Sequence, residues 1–314
     1  MIEWLKPPPG RYGVTKKISR IQQRLISSAA DIALDNPQDI LFQHTILCQT
    51  GLPYRSQKEL RRWKRDNGQA SLEIEAGRAF HPGKKKYINL PLPFGPKARL
   101  VLIHLNSEAI KTSSPVIEVE DSMTAFVKRL LKRSPNGREV KDFKNQLSAL
   151  SAATIRLAIL ADDRAVQINT HIVTAFDLWF SKNLNQRVLW PSNVRLSQEY
   201  FDTLVKHAIP LDERAIAALS HSSMALDVYV WLAQRLHRIN LGNPQFVPWT
   251  SLYEQFGQGF SRIRKFREKL LLVLRKVQTQ YPAARIEVDK KGLTLRQSPP
   301  SVPKRFITIK GGDI

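Results

Sequence analysis

Between Phe260 and Arg296 the hydrophobic period switches once, and no other feature of this 314-residue chain restricts its fold as strongly. Ile263, Phe266, Leu270, Val273 and Val277 recur at three- and four-residue steps, which is the spacing of one helix face. Arg264, Lys265, Glu268, Arg275 and Lys276 fall roughly opposite. Two short alternating stretches follow, Arg285 to Val288 and Leu293 to Arg296, joined by the turn sequence Asp289-Lys290-Lys291-Gly292. The pattern predicts a helix from Phe260 to Val277 running into a hairpin. Residues 262 to 291 hold ten Lys/Arg against three Asp/Glu, a local charge of +7.

The whole chain carries a formal charge of +22, which points to a polyanionic partner. Hydrophobic residues make up 42% of it, enough for real cores and for about two domains at roughly 100–200 residues each. The longest aliphatic run, Leu270 to Leu274, is far short of the ~18 apolar residues of a membrane span. Pro7-Pro8-Pro9 stands where a signal peptide needs an apolar stretch, so a cytoplasmic protein with no membrane partner is expected. Cys48 is the single cysteine, so the fold relies on packing and suits a reducing compartment.

The order helix–hairpin occurs earlier as well. Leu100, Ile103, His104 and Ala109 mark a helix, Val116 to Val119 a strand, and Asp121 an N-cap for a helix from Ser122 to Leu131. After the Pro135-Asn136-Gly137 turn, Val140, Phe143, Leu147 and Leu150 form one stripe, with Arg138, Lys141 and Asn145 pointing the other way. Two strands around Asp162-Asp163-Arg164 close the unit. A second round runs through an Asp212-capped helix, a helix from Met224 to Ile239, a short one opened by Pro248-Trp249, and the basic helix with its hairpin. The fold class expected is α+β, with two tandem winged helix-turn-helix domains after a helical and β-hairpin N-terminal region. The boundaries fall at 1–88, 89–190, 191–300 and a prolyl tail, 301–314. Within the first segment Ile40 to Cys48 reads as a helix. Arg55 to Arg65 reads as a solvated helix face or a backbone-contacting element, and Leu72–Ala76 as a strand pairing with Tyr87–Leu92.

Catalytic signatures do not assemble. No two histidines are separated by a single residue, so the His-x-His pair of a nicking enzyme is missing. Gly77 to Lys84 imitates a phosphate loop, but five residues separate Gly77 from Gly83, and Lys85 stands where Ser or Thr should be. Asp162-Asp163 reads as a turn. No enzyme activity, cofactor or metal site is expected.

Several stretches resemble the plasmid-encoded replication initiators of the RepA type, the RepA C-terminal family. They are Gly51-Leu52-Pro53-Tyr54-Arg55, Leu92-Pro93-Phe94-Gly95-Pro96-Lys97, Ser114 to Val119, Asp121 to Phe126, Leu189-Trp190-Pro191-Ser192, Met224 to Ala233, Val247-Pro248-Trp249 and Gln255-Phe256-Gly257. They span about residues 40 to 303 in the family's order. The resemblance implies an initiator that binds repeats in a plasmid origin as double-stranded DNA, promotes opening, and works with the host replication initiator and helicase. Self-association is left open, and a winged-helix transcriptional repressor is the competing reading. In both, bases are read from the start of each recognition helix. The residues expected to bind DNA are Arg138, Lys141 and Asn145 in the first unit, and Ser261, Arg262, Arg264 and Lys265 in the second. Lys290 and Lys291 are expected to clamp phosphate from the second wing. Trp179, Trp190, Trp231 and Trp249 lie in apolar patterns and are expected in cores or interfaces.

Overall fold

The computed structural model describes residues 18–81, 84–118, 122–161, 164–170, 172–175 and 193–303. They form a mixed α+β fold in which helices surround small antiparallel sheets.

Six elements in the first half follow the order helix, strand, helix, helix, strand, strand. They are α3 (Gly95–Thr112), β6 (Val116–Glu118), α4 (Met123–Leu131), α5 (Gly137–Ala152), β7 (Thr154–Ala161) and β8 (Arg164–Thr170). The same order returns in α8 (Ser223–Arg235), β12 (Gln245–Pro248), α9 (Trp249–Phe256), α10 (Ile263–Gln280), β13 (Ile286–Val288) and β14 (Gly292–Leu295). A 3-10 turn, Leu236–Arg238, ends α8. In the second set the three strands make one sheet, β12-β14-β13, in register from Gln245↔Leu295 to Pro248↔Gly292.

Strands of the first set divide between two sheets. β6 pairs with β10 (Asn193–Leu196), which pairs in turn with β9 (Val173–Ala175). The β7–β8 hairpin is extended by two N-terminal strands, β2 (Arg62–Asn67) and β3 (Ala70–Glu75), in the order β2-β3-β7-β8. Leu72, Ile74, Ile155 and Leu157 point inward and are fully buried, whereas Glu73, Glu75 and Arg156 alternate outward, Arg156 pairing with both carboxylates.

Several expectations for residues 40–92 need correction. Ile40 to Cys48 is a strand, β1 (Ile40–His44), followed by a single helical turn, α2 (Thr45–Gln49). The strand exists because it pairs with β11 (Ala208–Asp212), from Ile40↔Asp212 to His44↔Ala208, and tertiary pairing overrides the helical spacing. The His44 ring then caps the turn by accepting from the Ile46 N–H. The end of the Arg55–Arg65 segment is strand β2, not helix. β3 pairs with β2 and β7, and the hairpin partner of β5 (Lys86–Asn89) is β4 (Arg78–His81). One sheet therefore runs across the expected boundary at 88/89. α1 (Arg20–Leu34) also joins the second half: Gln280 donates to the Leu25 carbonyl, and Arg24 reaches the Ala217 carbonyl at the end of α7 (Glu213–Leu219).

Elsewhere the helices form close to where their patterns place them. Ser122, rather than Asp121, caps α4 through the Ala125 N–H, and Asp121 lies outside the described residues, as do Asp162, Asp163, Trp179 and Trp190. Asp212 caps α7 through the Arg214 N–H. One further helix, α6 (Gln198–His207), has no counterpart among the expected elements and is capped by Ser197. Trp231 and Trp249 are buried. Residues 297–303 pack against the body: Val302 is buried, and the Tyr281 hydroxyl donates to the Pro299 carbonyl at 2.5 Å. Among the described residues, no helix is long and apolar enough to cross a membrane.

Candidate nucleic-acid interface

Helix α5 begins with a reciprocal cap. The Asn136 side chain accepts from the Glu139 N–H at 2.9 Å, and the Glu139 carboxylate accepts from the Asn136 N–H at 3.1 Å, satisfying donors that a helix start leaves open. Arg133 also grips Glu139, and that hydrogen bond lowers the Glu139 carboxyl to about 2. Asp142, the other acid of α5, pairs with Lys97 of α3. Phe143, Leu147 and Leu150 are buried, which turns Arg138, Lys141 and Asn145 outward on one exposed stripe. Both carboxylates of the helix are thus engaged by cations from other segments, and the stripe keeps its positive charge.

In the second unit α10 starts at Ile263, later than the sequence pattern suggests. Ser261 and Arg262 are exposed but precede the helix, and Arg262 has extended backbone at the cap position, φ −136°, without capping α10 through its side chain. Arg264 and Lys265 lie on the exposed first turn. Each faces Glu268, at 3.9 and 3.0 Å, so the only acid of α10 partly neutralises the two cations expected to contact DNA. The helical pattern places Glu268 on the outer face, and the structure adds that it is paired there.

Lys290 and Lys291 are exposed on the β13–β14 turn, as expected. Asp289 shapes that turn by accepting from the Lys291 and Gly292 N–H groups. Arg267 is spent on structure. Its guanidinium lies 4.8 Å from the Trp249 ring centre and donates to the Asp289 and Lys290 carbonyls at 3.3 and 3.4 Å. The Trp249 indole N–H donates to the same Asp289 carbonyl. The turn is thereby tied to α9 and α10 while its lysines stay outside.

The two sets of elements meet at a buried charge pair. Arg99 of α3 donates from Nε and Nη2 to the two Asp227 carboxylate oxygens of α8, and also to the carbonyls of Leu52, Pro53 and Gly95. A Cβ at Gly51 would come within 2.8 Å of the Asp227 carboxylate, and Tyr54 lies against the Arg99 guanidinium at 5.3 Å. The Gly51-Leu52-Pro53-Tyr54 stretch is therefore a cradle for Arg99. Burial pushes the Asp227 carboxyl up, and the Arg99 charge pulls it back. Sequence pattern does not reveal this pair, because its members are 128 positions apart and each sits within an apolar helix.

The exposed cations of α5, of the start of α10 and of the β13–β14 turn thus stand on the outside of a mixed α+β body. The sequence model of the plasmid-encoded RepA protein family matches residues 92–250, just over half of the chain, and the chain belongs to that family of replication initiators. No curated protein sequence matches the chain. Among solved structures, a crystal structure of domains 2 and 3 of RctB is similar over 81% of this chain and 98% of its own, with a TM-score of 0.52 at 10% identity. A second crystal structure of RctB domains 2–3 has a TM-score of 0.47 at 10% identity, over 80% of this chain and 94% of its own.

Proposed function

We propose that the protein is a plasmid replication initiator that binds repeated sequences in its origin as duplex DNA through two winged-helix units and promotes opening. α5 and α10 act as the recognition helices, and the β13–β14 turn is a wing. The observation that carries this reading is the α5 stripe, where Arg138, Lys141 and Asn145 stand exposed while both acids of the helix are held away by Arg133 and Lys97. Arg reads guanine bidentately and Asn reads adenine, so the stripe has the residue types of direct readout. In the second unit Arg264 and Lys265 take this role, flanked by Ser261 and Arg262 before the helix. Lys290 and Lys291 contact phosphate from the wing.

No catalytic step is assigned to the chain. Nucleotide-driven unwinding falls to the host initiator and helicase, in the cytoplasm. Footprinting on a direct-repeat array of the plasmid, with random duplex as competitor, tests the proposal. Protection of each repeat, with affinity falling about 10³–10⁵-fold from 50 to 200 mM salt for roughly six to ten phosphate contacts, is the expected result. Equal binding of repeat and random DNA would overturn it.

A further inference from the structure

The β4–β5 ribbon takes no part in the interface described above. Its cross-strand pairs are Arg78↔Asn89, Ala79↔Ile88, Phe80↔Tyr87 and His81↔Lys86. Alternation puts Ala79, Ile88 and, at the exposed tip, Lys86 on one face and Arg78, Phe80, Tyr87 and Asn89 on the other. Ala79 is buried and Ile88 half-buried, so the first face lies against the body. The second faces solvent, with Phe80 49% and Tyr87 61% exposed. Their rings meet edge to face at 5.5 Å, and the Arg78 guanidinium lies 5.8 Å from the Tyr87 ring centre.

The base of the ribbon is fixed. Arg61 donates to the carbonyls of Leu90, Ala76 and Gly77, which clamps the two strands where they leave the body. Gly77 abuts the Ala152 carbonyl so closely that a Cβ would lie 1.7 Å from it. The ribbon therefore starts at the C-terminal end of α5. Arg78, Lys84, Lys85 and Lys86 are exposed on it, and no Asp or Glu occurs from Ala76 to Ser107. A paired aromatic surface that shares its face with Arg78 and ends in a basic tip, with no carboxylate of its own, is complementary to a nucleic-acid backbone and groove.

We infer that the β4–β5 ribbon is an additional DNA-binding arm, gripping duplex beside the segment read by α5 without regard to sequence. Its cations neutralise phosphates, and Phe80 and Tyr87 pack against the sugars of the groove. The inference rests on the DNA-binding reading above, but the partner follows from the ribbon's own residues.

Two variants test it on a random-sequence duplex of about 40 base pairs. Lys84→Ala/Lys86→Ala should weaken binding and reduce the slope of log affinity against log salt by about 1.8, at ~0.9 for each phosphate that is no longer neutralised. Phe80→Ser/Tyr87→Ser should weaken binding at every salt concentration while leaving the slope unchanged. Both should unfold thermally like wild type, since the replaced side chains are exposed. Unchanged affinity in both variants overturns the inference. A defect confined to a single-stranded oligonucleotide, or to capture of a host protein, overturns it as well. Preference for an origin repeat over random duplex, read in the same titrations, judges the initiator reading separately.

Discussion

Arg99 and Asp227 join α3 to α8 through two charge-assisted hydrogen bonds of 2.6 and 2.7 Å, with side chains only 5% and 9% exposed. A buried pair of this kind stabilises little by its charges alone, because desolvation offsets attraction. Its effect is to fix one arrangement: a guanidinium that also holds Leu52, Pro53 and Gly95 has a single place to go. The pair thereby fixes how α3 and α8 sit against each other.

Asp227→Ala should therefore destabilise the protein by about 3–5 kcal/mol, the range for removing one partner of a buried pair. Replacing Arg99 with Leu in the same chain should not restore stability, since three carbonyls would then lose their donor. Urea denaturation of the single and double variants measures both. An unchanged midpoint for Asp227→Ala would mean that the pair is not what locks the seam.

On the proposed reading, α5 and α10 each act on their own part of one repeat. With two helices reading successive major-groove segments about 10 base pairs apart, Arg264→Ala should relax preference in one half and Lys141→Ala in the other. The cost should be about 1–3 kcal/mol where the side chain reads a base. Lys290→Ala should weaken all sequences alike. Overlapping footprint changes for Arg264→Ala and Lys141→Ala would refute the division.

Glu268 faces both Arg264 and Lys265, so Glu268→Gln should tighten DNA binding. Exposed pairs are worth up to about 1 kcal/mol, which corresponds to a gain of roughly two- to fivefold. Fluorescence anisotropy at fixed salt would read it, and weaker binding would argue that Glu268 itself touches a base.

Acid should destabilise the fold well above the carboxylate range. Burial lowers both His44 and His104 to about 3. An unfolded histidine titrates near pH 6.5, so between about 6.5 and 3 the unfolded chain binds protons that the native chain refuses. Their full contribution is present above pH ~6.5 and diminishes as pH falls, by at most about 1.4 kcal/mol per pH unit for each histidine. His44→Asn retains a cap for the Ile46 N–H and should flatten the acid limb of a plot of melting temperature against pH. An acid limb as steep as wild type would exclude His44 as a source.

Local pattern is sufficient for α5 and α10, whose buried faces and turn residues lie within a few positions of one another. The exposure of Arg138, Lys141, Asn145, Arg264 and Lys265 follows from that periodicity, and that of Lys290 and Lys291 from the turn residues around them. It is insufficient for Ile40–His44, whose strand state is imposed by Ala208–Asp212, and for β9 and β10, which are three and four residues long. Arg267 resembles another phosphate contact because charge is visible in sequence, whereas its stacking on Trp249 is not. The Glu268 pairing is readable from its three- and four-residue spacing to Lys265 and Arg264.

The pairing of β1 with β11, and of β3 with β7, has a consequence for biosynthesis. Residues 40–44 leave the ribosome long before residues 208–212 exist. At ~5–20 residues per second, the delay is roughly 10–30 s. Pairing segments so distant along the chain is slow, and in the meantime β1 offers an unpaired edge on which a neighbouring chain can add a strand. A message truncated after residue 207 should therefore yield aggregates rather than a working half-initiator, because each half borrows strands from the amino-terminal residues.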